Sequence, residues 1–322
     1  MGALDGRVAI VTGAGRGLGR EHALLLAAEG ARVVVNDLGG EVTGEGADLT
    51  PAHDVAAQIT RAGGEAVVNG DDVSDWDGAQ RLIDTAVHEF GRLDVLVNNA
   101  GIVRDRMLVN MTEADWDAVI GVHLKGHFAP TRWAFAHWRE RSKAGDDVQA
   151  SVVNTSSISA MTGNFGQAHY GAAKAGIASF TMTAALEGAN YGIRVNAIAP
   201  VARTRLTTAA GDSDVLNSTR DLAFDVFDPA NVSPLVAYLA TAECPVTGNV
   251  FHVGGREVGV FGGWELMRTV EAEGRWNVDA LRDAVPALCG ERVTEGAARI
   301  DVSSFIGEMA KGREPGVSVT TP

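Results

Sequence analysis

The chain has 322 residues, of which 46% are hydrophobic and 21% are charged, and this composition is sufficient for a globular core. A formal net charge of −14 disfavours binding to nucleic acid or to an anionic membrane surface, because both are also negative. No apolar run approaches the roughly 18 residues of a membrane-spanning helix, so we expect no membrane association.

Cys244 and Cys289 form neither a C-x-x-C pair nor a metal-ligand spacing. We therefore expect two reduced thiols in a reducing compartment and no metal site. The first residues lack the basic-then-apolar pattern of a signal peptide, and residues 320–322 are not a peroxisomal address. Together these features predict a cytoplasmic protein.

Short β-branched runs alternate with longer helical patterns along most of the chain. Strands are predicted at residues 7–11, 31–36, 65–69, 93–97, 151–154, 194–198 and 250–253. Helices are predicted at residues 20–29, 54–62, 77–90, 113–140, 168–190 and 230–241. Thr112 and Asp115 have the spacing of a capping pair for the fourth of these helices. The alternation predicts an α/β fold, a doubly wound, Rossmann-type parallel sheet with helices on both faces.

Three stretches lack a clear period, namely residues 38–53, 200–217 and 310–322. Beyond residue 255 the pattern becomes helical, with candidate helices at 264–270 and 278–285, while 289–300 is ambiguous. We therefore expect a core domain, residues 1–255, and a C-terminal helical extension, residues 256–322, in one structural unit. The extension could cover a substrate opening, pack on a partner subunit, or only add to the core.

A glycine-rich turn, residues 12–19, joins the first strand to the first helix. Its glycines permit tight turns and close approach of a pyrophosphate, and the helix N-terminus offers free N–H groups to that anion. With a strand before it and a helix after it, the turn predicts a dinucleotide site. The cofactor-binding residues expected here are Gly13, Arg16, Gly17, Leu18 and Gly19.

Asp37 ends the second strand, and its carboxylate can accept hydrogen bonds from the adenosine ribose hydroxyls. The same charge would repel a 2′-phosphate, whereas Arg16 could in principle hold one, and the balance favours NAD over NADP. After the third strand, Asp72 and Val73 could contact the adenine ring. Asp72 could also belong to a helix N-cap cluster, and both interpretations can hold at once.

Tyr170 and Lys174 are four residues apart and share one face of a predicted helix. A free tyrosine, with a pKa near ~10, is a poor base, but a nearby ammonium and a positive nicotinamide would stabilise its phenolate. Lowering this pKa by about three units takes roughly 4 kcal/mol and brings Tyr170 into the range of a general base. The Ser157 hydroxyl can stabilise charge on a substrate oxygen, and Ser156 competes for this role.

The order of the glycine turn, Asn98-Asn99-Ala100-Gly101, Ser157 and Tyr170-x-x-x-Lys174 resembles the short-chain dehydrogenase/reductase family over roughly residues 5–255. The resemblance implies that Tyr170 is the acid/base, that Lys174 binds the nicotinamide ribose and that Ser157 orients the substrate oxygen. It also implies assembly as dimers or tetramers through two helices. The further cofactor-lining residues implied in this way are Asn99, Ala100 and Gly101.

Two positions depart from the family pattern. The family usually has an asparagine that completes a proton relay where this chain has His123, and its Pro-Gly after the sixth strand is Pro200-Val201 here. His123 could relay protons, or it could only pack and hydrogen-bond locally. These departures affect the route by which the proton leaves, and they leave the reaction itself unchanged.

Four segments and the tail that contains Trp264 are similar to the (3R)-hydroxyacyl-CoA dehydrogenase domains of type 2 peroxisomal multifunctional enzymes, and the similarity extends to about residue 285. The four segments are residues 36–40, 101–106, 122–126 and 163–168. Those domains also carry histidine at the place of His123. The similarity implies NAD-dependent oxidation of a secondary alcohol to a ketone, with a 3-hydroxyacyl-CoA as the favoured substrate. A 17β-hydroxysteroid dehydrogenase and an NADPH-dependent ketoacyl reductase are the alternatives.

The sequence offers two sets of candidate substrate contacts, and each set has a simpler interpretation. Four arginines could bind CoA phosphates or could be solvated surface residues: Arg104, Arg106, Arg203 and Arg205. Four apolar residues could line an acyl or sterol pocket or could belong to the core: Met161, Phe165, Leu206 and Trp264. We expect a small-molecule substrate, either a CoA thioester or a sterol.

Overall fold

The computed structural model describes residues 2–209, 213–220, 223–263, 266, 268–289, 306, 307 and 309. Its strands are β1 (Val8–Thr12), β2 (Arg32–Asn36), β3 (Ala66–Asn69), β4 (Val95–Asn98), β5 (Ala150–Thr155), β6 (Ile193–Pro200), β7 (Val250–Gly254) and β8 (Glu257–Val260). They form one sheet in the order β3-β2-β1-β4-β5-β6-β7-β8. All neighbours pair in parallel except β8, which pairs antiparallel with β7.

The α-helices are α1 (Gly17–Ala28), α2 (Thr50–Arg61), α3 (Trp76–Phe90), α4 (Glu113–Ile120), α5 (Gly126–Lys143), α6 (Ser159–Thr162), α7 (Ala168–Gly188), α8 (Arg205–Ala209), α9 (Ser213–Asn217), α10 (Ser233–Ala240) and α11 (Val278–Cys289). Short 3-10 helices lie at Leu108–Asn110, Ala189–Tyr191 and Pro229–Asn231. A π-helical segment, Gly121–Lys125, joins α4 to α5.

Helices cover both faces of the sheet, which explains why its central strands are continuous apolar runs. On one face, α1, α2 and α10 bury a cluster that includes Leu26, Ile59 and Val236. On the other face, α3, α5 and α7 bury a second cluster that includes Leu82 and Trp138. The chain leaves β1 toward β2 on one side and reaches β4 on the other, so a crevice opens between the carboxyl ends of β1 and β4.

The seven predicted parallel strands and the doubly wound sheet are confirmed. The predicted helix at 113–140 is interrupted by the π-helical segment, which begins at Gly121 and is followed by Gly126, and glycine favours helix weakly. The predicted capping pair is confirmed, since the Thr112 hydroxyl and the Asp115 carboxylate each accept a hydrogen bond from the other residue's N–H. A π-helical turn within an α-helix is often found at a functional site.

Beyond β7 the sequence predictions are less accurate. Strand β8 was not predicted, and it extends the sheet past residue 255 as an antiparallel edge. The helix expected at 264–270 is not formed at Leu266 or at 268–270, while Trp264 and Met267 lie outside the described residues. Helix α11 confirms the prediction at 278–285 and extends it to Cys289. The stretch predicted as a loop at 200–217 contains α8 and α9.

Residues 290–300 of the ambiguous stretch and the tail at 310–322 lie outside the described residues. After residue 289 the structure describes only 306, 307 and 309. Ile306 is buried with Val201, Leu216 and Phe227, so the extension contacts the segment after β6. In the described part of the chain, no helix is long and apolar enough to cross a membrane. The same residues contain no group of three His, Cys, Asp or Glu that could hold a metal ion.

Candidate active site

The turn between β1 and α1 lies so close to the next segment that only glycine fits at two positions. A β-carbon on Gly13 would stand 2.8 Å from the Ala100 Cα, and Gly13 also has a φ of +62°, which favours glycine. A β-carbon on Gly19 would overlap the Gly13 carbonyl and the Asn99 side chain. The Asn99 amide donates to the Thr12 and Gly13 carbonyls, at 2.9 and 3.2 Å. The turn is therefore held open as a cradle of backbone groups.

Thr12 was not predicted as a site residue, although it opens the glycine-rich motif. Its hydroxyl is fully buried and accepts hydrogen bonds from the backbone N–H groups of Asn99, at 2.9 Å, and Ala100, at 3.1 Å. This hydroxyl ties the end of β1 to the segment after β4, and so it joins the two predicted cofactor-lining segments. A threonine at the end of the first strand was the signal available in the sequence.

The Asp37 carboxylate lies at the end of β2 and faces the glycine-rich turn. One oxygen accepts from the Gly15 N–H at 2.7 Å, and the other accepts from the Gly39 N–H at 2.6 Å. These two bonds fix the carboxylate beside the N-terminus of α1, where Arg16 is the N-cap residue. Arg205 lies close enough for Arg16 and Asp37 to affect its pKa, which burial lowers.

At the end of β3 the two predicted residues have different environments. One Asp72 oxygen accepts from the Ser74 N–H and hydroxyl, at 2.7 and 2.8 Å, while the N-cap of α3 is Asp75. Val73 is buried, and a β-carbon on Gly126 would stand 2.8 Å from its Cγ2. Asp72 therefore stabilises the turn that leads to α3.

The residues present fit a dinucleotide. The glycine cradle keeps backbone N–H groups and a helix N-terminus free of side-chain cover, which suits a pyrophosphate. The Asp37 carboxylate, one strand away, suits a ribose diol. Leu18, which lies in the first turn of α1, packs on the apolar cluster beneath this helix.

Helix α7 begins near the carboxyl end of β5 and carries two of the predicted catalytic residues in its first two turns. The Ser157 hydroxyl hydrogen-bonds Tyr170, and it also accepts from the Ser159 N–H at 3.2 Å. The Lys174 Nζ lies 5.5 Å from the centroid of the Tyr170 ring. This Nζ is buried and donates to the Thr155 carbonyl at 2.6 Å. Hydroxyl, phenol and ammonium thus lie together beside the crevice.

Comparison with known proteins agrees with this geometry. The profile of the short chain dehydrogenase family matches residues 7–213. The chain is 43% identical to a hydroxyacyl-CoA dehydrogenase of Mycobacterium tuberculosis, over 84% of each chain. The chain belongs to the short-chain dehydrogenase family. It is an oxidoreductase with the fold and the motif order of that family.

A second curated relative and a solved structure also match this dehydrogenase. It is 46% identical to the peroxisomal multifunctional enzyme type 2 of Drosophila melanogaster over 76% of its own length, but this match spans only 38% of that enzyme. The crystal structure of a short chain dehydrogenase from Mycobacterium avium superimposes with a TM-score of 0.80 at 50% identity. That match covers 94% of this chain and 98% of the other.

The two titratable groups of the dehydrogenase site are shifted by burial in opposite directions. Burial raises the pKa of Tyr170; the hydrogen bond from Ser157 lowers it in part, and the Asp105 carboxylate raises it. Burial lowers the pKa of Lys174 to about 7. The expected fall in the Tyr170 pKa is therefore not seen in the cofactor-free chain, where burial of the phenol outweighs the hydrogen bond from Ser157.

The two neighbouring serines are clearly separated by their contacts. The Ser156 hydroxyl is buried and donates to the Lys174 carbonyl at 2.8 Å, so it anchors α7. Only the Ser157 hydroxyl contacts the Tyr170 phenol. Geometry therefore favours Ser157 as the residue that could meet a substrate oxygen.

His123 lies in the π-helical segment with its ring edge-on to Tyr170, and the ring centroids are 5.1 Å apart. Its Nε2–H donates to the Ile102 carbonyl at 2.8 Å, which links the segment to the loop after Gly101. Burial and the nearby Lys174 charge hold the pKa of His123 well below its usual value. Its Nδ1 has no hydrogen-bond partner among the described residues. The imidazole is therefore neutral and locally bonded.

The candidate substrate contacts are only partly brought to the site. Arg203 forms an ion pair with Asp225 and donates to the Leu216 carbonyl at 2.7 Å, so its guanidinium holds together parts of the segment that follows β6. Arg104 donates to the Thr43 carbonyl at 2.7 Å. Phe165 is 83% exposed, which excludes a place in the core. Trp264 lies outside the described residues.

A set of polar contacts that was not predicted holds the loop after Ile102 against the segment before α7. The Gln167 amide donates to the Asp105 carboxylate, the His169 Nε2–H donates to the Arg104 carbonyl, and all the contacts in this set are 2.9 Å long. The third member is the bond from the Arg106 N–H to the Gly166 carbonyl. Since these residues are about 60 positions apart in sequence, no local pattern could have indicated the contacts.

Proposed function

We propose that this dehydrogenase oxidises the secondary alcohol of a 3-hydroxyacyl-CoA to the ketone, with NAD as the hydride acceptor. The observation that carries the reaction type is the arrangement of Ser157, Tyr170 and Lys174 beside the glycine cradle. The substrate class is supported by the Mycobacterium tuberculosis relative, a hydroxyacyl-CoA dehydrogenase whose match covers most of both chains.

Each of the three side chains has a role that its surroundings support. The Ser157 hydroxyl would bind the substrate oxygen, and Tyr170, which it already contacts, would accept the hydroxyl proton in its phenolate form. Bound NAD would supply the acceptor for the hydride, and its positive charge would favour the phenolate form of Tyr170. Lys174 would hold the nicotinamide ribose, and its protonated form would stabilise the Tyr170 phenolate from 5.5 Å.

We favour NAD over NADP because of the fixed position of Asp37. Its two carboxylate oxygens are already oriented by the Gly15 and Gly39 N–H groups, so the negative charge cannot move away from a 2′-phosphate without loss of both bonds. Arg16 and Arg205 lie near the same place, and they are the groups that would favour NADP if the assay contradicted this proposal.

The opening of the proposed substrate site is rich in exposed apolar side chains. Met107, Leu108 and Phe165 are 52%, 71% and 83% exposed, on two segments joined by the bond from Arg106 to Gly166. A fatty-acyl or sterol moiety would cover such a surface. Arg104 and Arg106 lie on the same loop and would supply charge for CoA phosphates.

We also propose self-association through the face of α5 and α7. Exposed aromatic and aliphatic side chains on this face include Phe128 and Leu186, at 42% and 79% exposure. Arg132 stacks over the Trp133 ring at 4.0 Å on the same side. A dimer or tetramer would bury this surface, and its size in solution can be measured by light scattering.

Absorbance of NADH during turnover tests the proposed reaction. We expect a signal with a 3-hydroxyacyl-CoA and NAD, a weaker one with NADP, and a weaker one with a free 17β-hydroxysteroid. Tyr170→Phe removes the acid/base and should reduce kcat by at least about a thousandfold, whereas Tyr191→Phe, at a tyrosine outside the site, serves as the matched control. A higher rate with the steroid, or an unchanged rate in Tyr170→Phe, would contradict the proposal.

A further inference from the structure

His127 is fully buried on α5, one helical turn after His123, and the catalytic scheme above does not use it. Its Nε2 accepts a hydrogen bond from the Thr155 N–H at 3.3 Å. Thr155 ends β5, and its carbonyl accepts the bond from the Lys174 Nζ at 2.6 Å. The backbone of one residue therefore connects the His127 imidazole to the Lys174 ammonium.

We propose that His127 is a positioning residue for Lys174. By binding the Thr155 N–H, the imidazole fixes the end of β5, so that the Thr155 carbonyl stays directed at the Nζ. Thr155 lies at the end of its strand, where the sheet restrains it on fewer sides than the residues before it. This inference rests on the role proposed above for Lys174.

The proposed contact requires a neutral imidazole, because Nε2 accepts a hydrogen bond only when it carries no proton. Burial and the charge of Lys174 on α7 keep the pKa of His127 well below its usual value. The carbonyls of Asn98 on β4 and of His123 also lie near the ring and act to raise its pKa, but the ring Nδ1 makes no hydrogen bond among the described residues. Burial and the Lys174 charge outweigh these carbonyls, so the His127 imidazole is neutral.

A buried polar network fixes the backbone of the same helix. The Thr131 hydroxyl donates to the His127 carbonyl at 2.7 Å and accepts from the Asn98 amide at 2.9 Å. The Asn98 amide also donates to Asn154 on β5, at 2.9 Å. Because α5, β4 and β5 are joined in this way, the backbone of His127 is fixed, and its side chain is held against Thr155.

The test compares three substitutions at His127 with a control on the same helix. His127→Leu fills the space and removes the acceptor, His127→Gln places a polar atom near the position of Nε2, and His127→Asn reaches only the position of Nδ1. Ala134→Gly, at a buried position on α5 with no polar contact to Lys174, lowers stability without touching this path.

We expect His127→Leu to reduce kcat with NAD about tenfold, which corresponds to about 1.4 kcal/mol. The acidic limb of its kcat–pH profile should move to higher pH, because a displaced Lys174 stabilises the Tyr170 phenolate less. His127→Gln should restore most of kcat and the wild-type limb, while His127→Asn should resemble His127→Leu. The KM for the alcohol should remain unchanged, and Ala134→Gly should leave the profile as in wild type.

A second measurement avoids turnover altogether. The pKa of Lys174 in the cofactor-free protein can be followed by NMR with carbon-13-labelled lysine, using Lys174→Met to assign the signal. Its wild-type pKa is lowered by burial to about 7, and loss of a fixed carbonyl acceptor in His127→Leu should lower it further. If wild type lacks NAD-dependent activity, the proposed function fails, and this titration still decides the contact. An unchanged Lys174 pKa together with an unchanged profile would overturn the inference.

Discussion

The two sides of the crevice differ in the groups that form them. The nucleotide side is the glycine-rich turn with the Asn99 segment, and the catalytic side is the part around Tyr170 and Lys174. On the nucleotide side, Gly13 and Gly19 expose backbone groups, and the Asn99 amide bonds only to carbonyls. On the catalytic side, Lys174 and His127 are buried side chains delivered by separate helices. The first side tolerates almost no added atom, whereas the second depends on the protonation state of each group.

This difference determines how substitutions on each side should impair the protein. On the nucleotide side, where neutral N–H groups and close backbone contacts form the surface, a substitution should weaken binding by steric overlap, and the loss should be nearly independent of pH. Where burial shifts the pKa of a lysine and of two histidines, the fault to expect is electrostatic and should change with pH. Substitutions that test one property at a time can separate the two sides.

The largest effect is expected from Gly19→Ala on the nucleotide side. The added carbon would overlap the Gly13 carbonyl and the Asn99 side chain, and both are held by other bonds. We expect the dissociation constant for NAD to rise about a hundredfold, equal to about 2.7 kcal/mol, in isothermal titration at pH 6 and at pH 8 alike.

Gly63→Ala provides the matched control, because this glycine also sits in a turn but has no atom near its β-carbon position. With a φ of +91°, the variant should lose about 1 kcal/mol of stability and keep its NAD affinity. Equal affinity losses in the two variants would mean that general destabilisation, and not the cradle, explains the Gly19 result.

The next effect is expected from Lys174→Met, which should abolish turnover and yet stabilise the cofactor-free fold. Burial lowers the folded-state pKa of Lys174 to about 7, from an ordinary value of 10.5. Between these values the unfolded chain binds the proton and the folded chain does not, so wild-type stability rises with pH across that window. Below about pH 7 the full cost of burying the group is present.

The stabilising effect of Lys174→Met should therefore be about 2 kcal/mol near pH 7, after allowance for the lost bond to the Thr155 carbonyl. It should decline toward zero as the pH approaches 10. Urea denaturation of the cofactor-free proteins at several pH values measures it, with Lys143→Met, at a half-exposed position, as the control. A variant that is less stable at every pH would contradict the expectation.

The nucleotide side was largely predictable from sequence, for reasons that are local. A glycine at positions 13 and 19 is required by contacts within the motif and with the Asn99 segment, and Asp37 follows directly from the end of β2. The parallel sheet was also predictable, because strands covered on both faces are continuous apolar runs.

The catalytic side was predictable only where spacing along one helix carried the information, as for Tyr170 and Lys174. Nothing near His127 in sequence indicates that its ring meets Thr155, 28 residues later, because that contact depends on how α5 packs on the sheet. The π-helical turn at Gly121–Lys125 was also missed, since helical periodicity continues through it. Burial raises the pKa of Tyr170 in the cofactor-free chain, and this effect was not visible in sequence; the fall expected with the nicotinamide bound stays a prediction.

One residue breaks the simple division between the two sides. His22 lies on α1, on the nucleotide side, yet it is fully buried, and its Nδ1 lies 2.8 Å from the Ser233 hydroxyl at the start of α10. Burial lowers its pKa to about 3. Since the ordinary value is 6.5, the unfolded chain binds a proton between these pH values that the folded chain does not, so stability falls as the pH drops through this window.

His22→Asn keeps a polar contact for Ser233 and cannot titrate, so it tests whether His22 causes the loss of stability at low pH. Of the effects considered, this one should be the smallest. At pH 7.5 we expect it to cost about 1 kcal/mol through poorer packing. Below pH 6.5 the wild type should lose up to about 1.4 kcal/mol per pH unit from this group, so the two stability curves should cross. The buried His123 and His127 contribute equally to both proteins, so the difference between the curves isolates His22. His88→Asn, at a side chain that is 84% exposed, is the control, and parallel wild-type and His22→Asn curves down to pH 4.5 would show that His22 does not govern acid stability.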